Sequence, residues 1–363
     1  MEKIGIICEY NPFHNGHLYH IEKIKEMYPD SCIILVLSGY FTQRGDVSVL
    51  SKYDKTKLAL KYGVDVVIEL PVLMLTNSAD IFGYFAVDAL NKAGAEKIIF
   101  GSETNDVQKL KKLAKAFDDE ETNKKIKNFI KSGVSYQQSL NKAINTNLKS
   151  NDILALAYIK AINKINKNII PISIQRTNDF NDLESNDEII SANNIREKLN
   201  QKEDITRYIP DYKDIKINAI NLDKYFYLLR YKILTEKNLN KYLGVDEGLD
   251  NKLKKEIFTS SSITKLLDNI KSKRYPISRL KRMLVHILLG IEKEDMKDLP
   301  KEYRILGFSK KGAMHLKELN SKYLCFKYEN RTRIIEINAS IIYDDLTGSK
   351  SFNDEIKNKP MIF

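Results

Sequence analysis

Cysteine and histidine are both scarce in this chain of 363 residues, with three of the first and five of the second. Cys8, Cys32 and Cys325 are odd in number and show no metal-ligand spacing, which excludes a disulfide framework as the organising device. Two of them fall in apolar runs expected to be buried strands, where cysteine serves as a small apolar residue. Long hydrophobic runs are missing too: none approaches the roughly 20 residues needed to cross a bilayer. No secretory leader is recognisable, because Met1-Glu2-Lys3 runs straight into the strand pattern Ile4-Gly5-Ile6-Ile7. These absences lead to the expectation of a cytoplasmic protein. There is also no repeat or long low-complexity tract, which sets aside solenoids and disordered linkers.

What is present is the balance of a globular protein, 43% hydrophobic and 29% charged. The length suggests two domains. The net charge of +11 is unevenly placed. Residues 1–200 hold 26 basic against 25 acidic side chains, and residues 201–363 hold 33 against 23. A basic half joined to a near-neutral one points to a polyanionic partner for the former, with nucleic acid the commonest kind.

Short β-branched runs at 4–8, 32–37, 64–70, 97–100 and 169–174 alternate with helical-period segments at 18–28, 55–62, 79–93 and 153–165. The runs are continuously apolar rather than alternating, as in strands covered on both faces. This rhythm predicts an α/β fold with a doubly wound, Rossmann-like parallel sheet over residues 1–200. Residues 118–146, charged but helically spaced, are expected to extend it. Beyond Arg196 the rhythm fades, and 223–234, 263–270, 279–289 and 312–319 read as amphipathic helices with a last strand at 333–339. The expectation for 201–363 is a basic, mainly helical C-terminal domain.

In doubly wound sheets ligands bind beyond the carboxyl ends of the strands. There, Glu9-Tyr10-Asn11-Pro12-Phe13-His14-Asn15-Gly16-His17 leaves the first strand and opens the first helix. His14, His17 and His20 fall within seven residues, at the helix end whose free N–H groups attract anions. Gly16 lets the backbone approach a phosphate, and Pro12 fixes the entry turn. Two imidazoles there can donate hydrogen bonds to charge developing as an α–β phosphate bond breaks. A zinc site built from His14 and His17 is the structural alternative. A second anion signal is Ser191, able to cap another helix start, with Arg196 in its first turns.

The segment 5–17 is similar to nucleotidyltransferases that carry a His-x-Gly-His motif. More closely, the chain resembles the bacterial tRNA(Met) cytidine acetate ligase family. The likeness continues through Leu37 to Asp46, Val66 to Pro71, Phe100-Gly101-Ser102-Glu103, Ser150-Asn151-Asp152-Ile153-Leu154 and Arg176, and reaches Lys273-Arg274-Tyr275, Ser278-Arg279 and Leu306-Gly307-Phe308. It implies a nucleotidylyltransferase-type sheet and a two-step reaction. Acetate and ATP, with Mg2+, give acetyl-adenylate and pyrophosphate; the wobble cytidine of elongator tRNA(Met) then takes the acetyl group on N4. It implies His14 and His17 as catalytic residues. ATP contacts are implied from Ile7, Cys8, Glu9, Tyr10, Asn11, Pro12, Phe13, His14, Asn15, Gly16, His17, Leu18, Tyr19 and His20, and from Gly101, Asn151 or Asp152, Arg176, Ser191 and Arg196. Asn151-Asp152 departs from the family's usual Asn-Asn, and Asn194 stands where related motifs carry Thr.

Gln43-Arg44-Gly45-Asp46 follows the second strand and is expected in the acetate pocket or at the RNA entrance. Glu69, ending the third strand, is expected to be structural, holding loop N–H groups. The densest basic cluster is Lys271, Lys273, Arg274, Arg279, Lys281 and Arg282, with Tyr275 among them to stack an unpaired base of tRNA. The rivals are a small-molecule adenylyltransferase and a non-catalytic, nucleotide-dependent RNA-binding protein.

Overall fold

A computed structural model of the chain describes residues 1–117, 119–134, 136–176, 187–246, 248–273, 275–357 and 359–363. The five apolar runs are strands: β1 (Lys3–Cys8), β2 (Cys32–Ser38), β3 (Val66–Leu70), β4 (Lys97–Ser102) and β5 (Ile170–Gln175). They lie parallel in the order β5-β4-β1-β2-β3. The helices of this half are α1 (Asn15–Met27), α2 (Lys52–Lys61), α3 (Val72–Leu75), α4 (Ala79–Lys92), α5 (Val107–Ala116), α6 (Glu120–Lys131), α7 (Tyr136–Ala143), α8 (Ser150–Ile165) and α9 (Ala192–Asn200). Side chains along β2 explain the continuous hydrophobicity. Ile34 and Val36 pack under α4 and α8, whereas Ile33, Leu35 and Leu37 pack with Ile21 and Ile24 of α1 and Leu58 of α2. The order reverses between β4 and β1, where a crevice opens at the carboxyl ends of the strands.

The second half supplies α10 (Leu222–Thr235), α11 (Leu249–Thr259), α12 (Ile263–Ile270), α13 (Ile277–Leu289), α14 (Lys310–Leu319), α15 (Asn330–Thr347) and α16 (Ser351–Lys357). It also returns strands to the sheet. Here β6 (Tyr303–Phe308) pairs antiparallel with β3, and β7 (Leu324–Cys325) and β8 (Met361–Ile362) pair with β6. The sheet is thus not confined to residues 1–200. A helical core of α10 to α13 and α15 closes over Tyr40, Phe41, Val47, Val72 and Leu73, so the two halves share an apolar interface. The strand expected at 333–339 is instead the middle of α15. Its β-branched residues Ile334, Ile335 and Ile337 favoured the strand reading. The buried positions Thr332, Ile335, Glu336, Ala339, Ser340 and Tyr343 have the spacing of one helix face.

Buried charge ties the late strands and helices to the early ones. Lys52 of α2 meets Glu69 at 2.6 Å and Glu355 of α16 at 2.6 Å, all three buried. Arg304 of β6 bridges the same two carboxylates, at 2.6 and 2.7 Å. Glu69 therefore holds side-chain cations rather than the loop N–H groups expected of it. Glu336 completes the cluster; burial, then the charge of Glu69, pushes its carboxyl up to about 8 against the pull of Lys52. It stands 3.6 Å from Lys52 and accepts from the N–H of Val72 at 2.7 Å. Glu355 is the opposite case: burial alone would raise it, yet Lys52 and Arg304 bring it down to about 2.

Removing one partner strands the others in low dielectric. Arg304→Met is expected to cost about 3–5 kcal/mol, read as a lower urea midpoint; a loss under about 1 kcal/mol would mean that the cluster is dispensable. Because the folded pKa of Glu355 is depressed, its contribution is present above its unfolded value near 4.5 and drains as pH falls towards about 2. Glu355→Gln should flatten the loss of stability across that window.

Candidate functional site

The turn from β1 into α1 sets the geometry of the site. Tyr10 has a left-handed backbone with φ of 48°, an uncommon conformation for an aromatic residue. His14 is the N-cap of α1, and the N–H of Gly16 donates to its Nδ1 at 3.0 Å. In turn the N–H of His14 donates to Nδ1 of His17 at 3.3 Å. A nitrogen that accepts a backbone hydrogen bond carries no proton, so both rings are neutral with the proton on Nε2. Gly16 is required by contact rather than by torsion: a Cβ there would lie 2.8 Å from the His14 ring. The two rings sit 4.0 Å apart, with Tyr10 edge-on to His17 at 4.6 Å.

Electrostatics reinforce the neutral state. Burial, then the charges of Arg176 and Arg196, bring His14 down to about 3. Burial and the neighbouring His14, His20, Arg176 and Lys55 hold His17 well below the usual imidazole value. His20 falls to about 4 for the same reasons, burial first and Arg176 second. Among the described residues Nε2 of His20 has no hydrogen-bond partner.

These rings face a cavity of about 250 Å³ at the strand-order switch. Of the residues expected to contact ATP, Ile7, Cys8, Glu9, Tyr10, Asn11, His14, Gly16, His17, Tyr19, His20, Gly101, Asn151, Arg176 and Arg196 line it. The others stand behind. Phe13 is buried and stacks on Tyr62 at 5.4 Å, while Asn15 donates to the carbonyls of Glu188 and Arg207. Pro12 and Leu18 do not line the cavity either. Ser191 caps α9 as expected, its side chain accepting from the N–H of Asn194, and thereby aims Arg196 at the cavity. Arg196 also donates to the carbonyl of Asn11 at 2.6 Å, joining the two phosphate-binding candidates.

Asn151 and Asp152 take different roles. Asn151 lines the cavity and donates to Glu103 at 2.6 Å. Asp152 is turned into the core, accepting from the Ser102 hydroxyl at 2.6 Å and from the N–H of Glu103 at 3.1 Å. The bare face of Gly101 lies under the Arg176 side chain, 3.2 Å from where a Cβ would stand. Sequence reasoning missed Phe82, Phe100, Leu154 and Tyr158, which give the cavity its apolar wall. Phe100 and Leu154 lie in segments that carry the family likeness, but the spacing of all four is that of ordinary core residues.

Thr42, Gln43, Arg44 and Asp46 form the rim. The N–H of Gln43 donates to Glu9 at 2.7 Å, and its side chain donates to the carbonyl of Asn77 at 2.6 Å. Gly45 has φ of 84° and faces the start of α13: a Cβ would come within 2.6 Å of the Arg282 nitrogen. Lys281 pairs with Asp46 at 2.6 Å. The rim is therefore bolted to the basic helix.

The basic cluster is mixed in character. Lys271 and Lys273 are exposed, the former paired with Asp268 at 2.8 Å. Arg279 pairs with Asp246 and covers the Tyr275 ring at 4.9 Å. Arg282 is half-buried; desolvation, then Arg279 and Arg44, bring its guanidinium down to about 10. Tyr275 is 9% exposed and belongs to the helical core, so it does not present a face for a base as the sequence suggested. Its helical-cluster partners are distant in sequence, which hid its burial. Arg274 lies outside the described residues.

Residues 1–357 match the family model described as HIGH nucleotidyl transferase. The chain is 38% identical to the tRNA(Met) cytidine acetate ligase of Thermoanaerobacter sp. (strain X514), over 88% of this chain and 86% of that one. It is 36% identical to that of Clostridium perfringens (strain ATCC 13124), over the whole of both. The crystal structure of Thermotoga maritima TmcAL in its apo form I superposes with a TM-score of 0.88 at 27% identity, covering both chains entirely. TmcAL bound with alpha-thio ATP gives 0.84 over the same coverage. With the two histidines, the switch-point cavity and the rim all in place, the chain belongs to the HIGH nucleotidyl transferase family, in the branch of the tRNA(Met) cytidine acetate ligases.

Proposed function

We propose that the chain activates acetate with ATP and transfers the acetyl group to N4 of the wobble cytidine of elongator tRNA(Met). The carrying observation is the pair of neutral imidazoles, each with Nδ1 engaged by backbone and Nε2–H left for the cavity. In the first step an acetate oxygen attacks the α-phosphorus, the α–β bridging bond breaks and pyrophosphate leaves. His14 and His17 donate to the oxygens gaining charge there, aided by the amino end of α1 and by Arg176 and Arg196. Neutral donors suit this task, since they need no proton from solvent and take none from the nucleotide. In the second step the cytosine amine attacks the acetyl carbon and AMP departs.

Magnesium is expected to arrive with the phosphates of ATP: among the described residues no group of three or more His, Cys, Asp or Glu side chains is placed to hold a metal ion. Residues 1–200 carry the chemistry in this reading and 201–363 carry most of the tRNA surface. A cytoplasmic location fits three cysteines that form no disulfide and a substrate that is tRNA. No described helix is long and apolar enough to cross a membrane.

Incubation with labelled acetate, ATP and total bacterial tRNA should place label in RNA and release pyrophosphate. Pyrophosphate release that does not need acetate would instead mark a small-molecule adenylyltransferase. His17→Ala is expected to lower acetate-dependent pyrophosphate exchange by about 10²–10³-fold, while tRNA binding followed by filter retention stays intact. Since both histidines stay neutral far below their usual range, kcat/KM for the exchange should show no inflection near pH 6.5. For the RNA surface, Lys271→Ala with Lys273→Ala should weaken tRNA binding and lessen its salt slope by about 2 units. Unchanged binding would move the RNA site elsewhere.

A further inference from the structure

The second step needs something that the phosphate-binding groups do not supply. The lone pair of a cytosine amine is delocalised into the ring, so the amine becomes a good nucleophile only as it loses a proton. When N4 bonds to the acetyl carbon and the carbon–oxygen bond to AMP breaks, the electron pair leaves on the phosphate oxygen. One of the two amine hydrogens must then leave as a proton. The residues around the cavity are mostly donors. His14 and His17 carry their proton on Nε2, and the guanidinium groups of Arg44, Arg176 and Arg196 have no lone pair with which to accept one. The Cys8 thiol, raised to about 12 by burial first, is no thiolate.

Among the described residues two carboxylates line the cavity, Glu9 and Asp46. Asp46 is already paired with Lys281 at 2.6 Å. Glu9 directly follows β1, immediately before the turn that carries the histidines, and the N–H of Gln43 fixes its Oε1 at 2.7 Å. No described residue donates to its Oε2. We infer that Glu9 is the catalytic base of acetyl transfer, accepting a hydrogen bond from the exocyclic amine of the cytosine and then its proton. The inference rests on the acetyl-transfer reading above. A carboxylate facing position 4 also selects the base, because cytosine offers an N4–H donor there and uracil an acceptor.

The surroundings match that task. Burial raises the Glu9 carboxyl, and the Gln43 N–H with Lys55 of α2, Arg196 of α9 and Arg44 of the rim hold it back. Cys8 on β1 and Tyr158 on α8 are its other titratable neighbours, and burial keeps both protonated. A carboxyl that burial shifts upward accepts a proton more readily than a solvated glutamate.

The test separates the two half-reactions. Adenylation is followed by acetate-dependent pyrophosphate exchange, and transfer by single turnover of preformed enzyme-bound acetyl-adenylate with tRNA. Glu9→Gln is expected to lower transfer relative to adenylation by about 100-fold, and Glu9→Asp to recover part of it. Wild-type transfer should slow as pH falls through a value above the usual carboxylate range, and this slope should vanish in Glu9→Gln. An equal loss in both half-reactions, transfer within about 3-fold of wild type, or a pH slope that survives the substitution would each overturn the assignment. If the wild-type protein itself puts no acetyl on RNA, the acetyl-transfer reading fails; label from wild type with an undiminished Glu9→Gln sinks the base alone.

Discussion

Two lysines of one helix hold the carboxyl ends of two strands, and the site is built out from them. Lys55 of α2 donates to the carbonyls of Ser38 and Gly39 at 3.2 and 2.8 Å, where β2 ends and the rim begins. Lys52, one turn earlier, holds Glu69 at the end of β3. Both ammonium groups are buried, and burial, the largest influence on Lys55, brings it down to about 7. Leaving those carbonyls and Glu69 unpaired in the interior would be costly, so the geometry is over-determined. From Gly39 the chain runs through Tyr40 and Phe41, which anchor in the helical core, to Gln43, whose N–H fixes Glu9. One helix thus positions the rim, and the rim positions a carboxylate beside the histidines.

The contrast between charged and neutral groups in the cavity follows from which ones have counter-charges or solvent. The histidines are surrounded by cations and desolvated, so they remain neutral donors. The arginines stay charged because a guanidinium is rarely deprotonated even when half-buried, as Arg196 is. A site for a polyanionic nucleotide therefore combines fixed positive charge with dipoles that carry no net charge, which binds phosphate without repelling the arginines.

Much of this was legible in the residues themselves. The five strand runs and the helices at 79–93, 153–165 and 263–270 follow from apolar period alone, and they match α4, α8 and α12 to within a few residues. The histidine segment was legible because its chemistry is local: three imidazoles, a glycine and a helix start within ten residues. What could not be read depends on partners far along the chain. The burial of Tyr275, the helical state of 333–339 and the choice between Asn151 and Asp152 each turn on which face of a helix meets another element. Arg304, which bridges Glu69 to Glu355, lies more than two hundred residues from Glu69, beyond any local pattern.

The same separation has a consequence for synthesis. Glu355 follows Lys52 by about 300 residues, which at roughly 5–20 residues per second is about 15–60 s of translation. Through that interval Lys52 has Glu69 but neither Glu355 nor the Arg304 bridge. The early sheet emerges from the ribosome with its third strand open on the side that β6 later covers, exposing a row of unpaired backbone groups. Nascent chains of this protein carry their greatest exposure to misassembly and to chaperones in that window, which ends when β6 and α16 arrive.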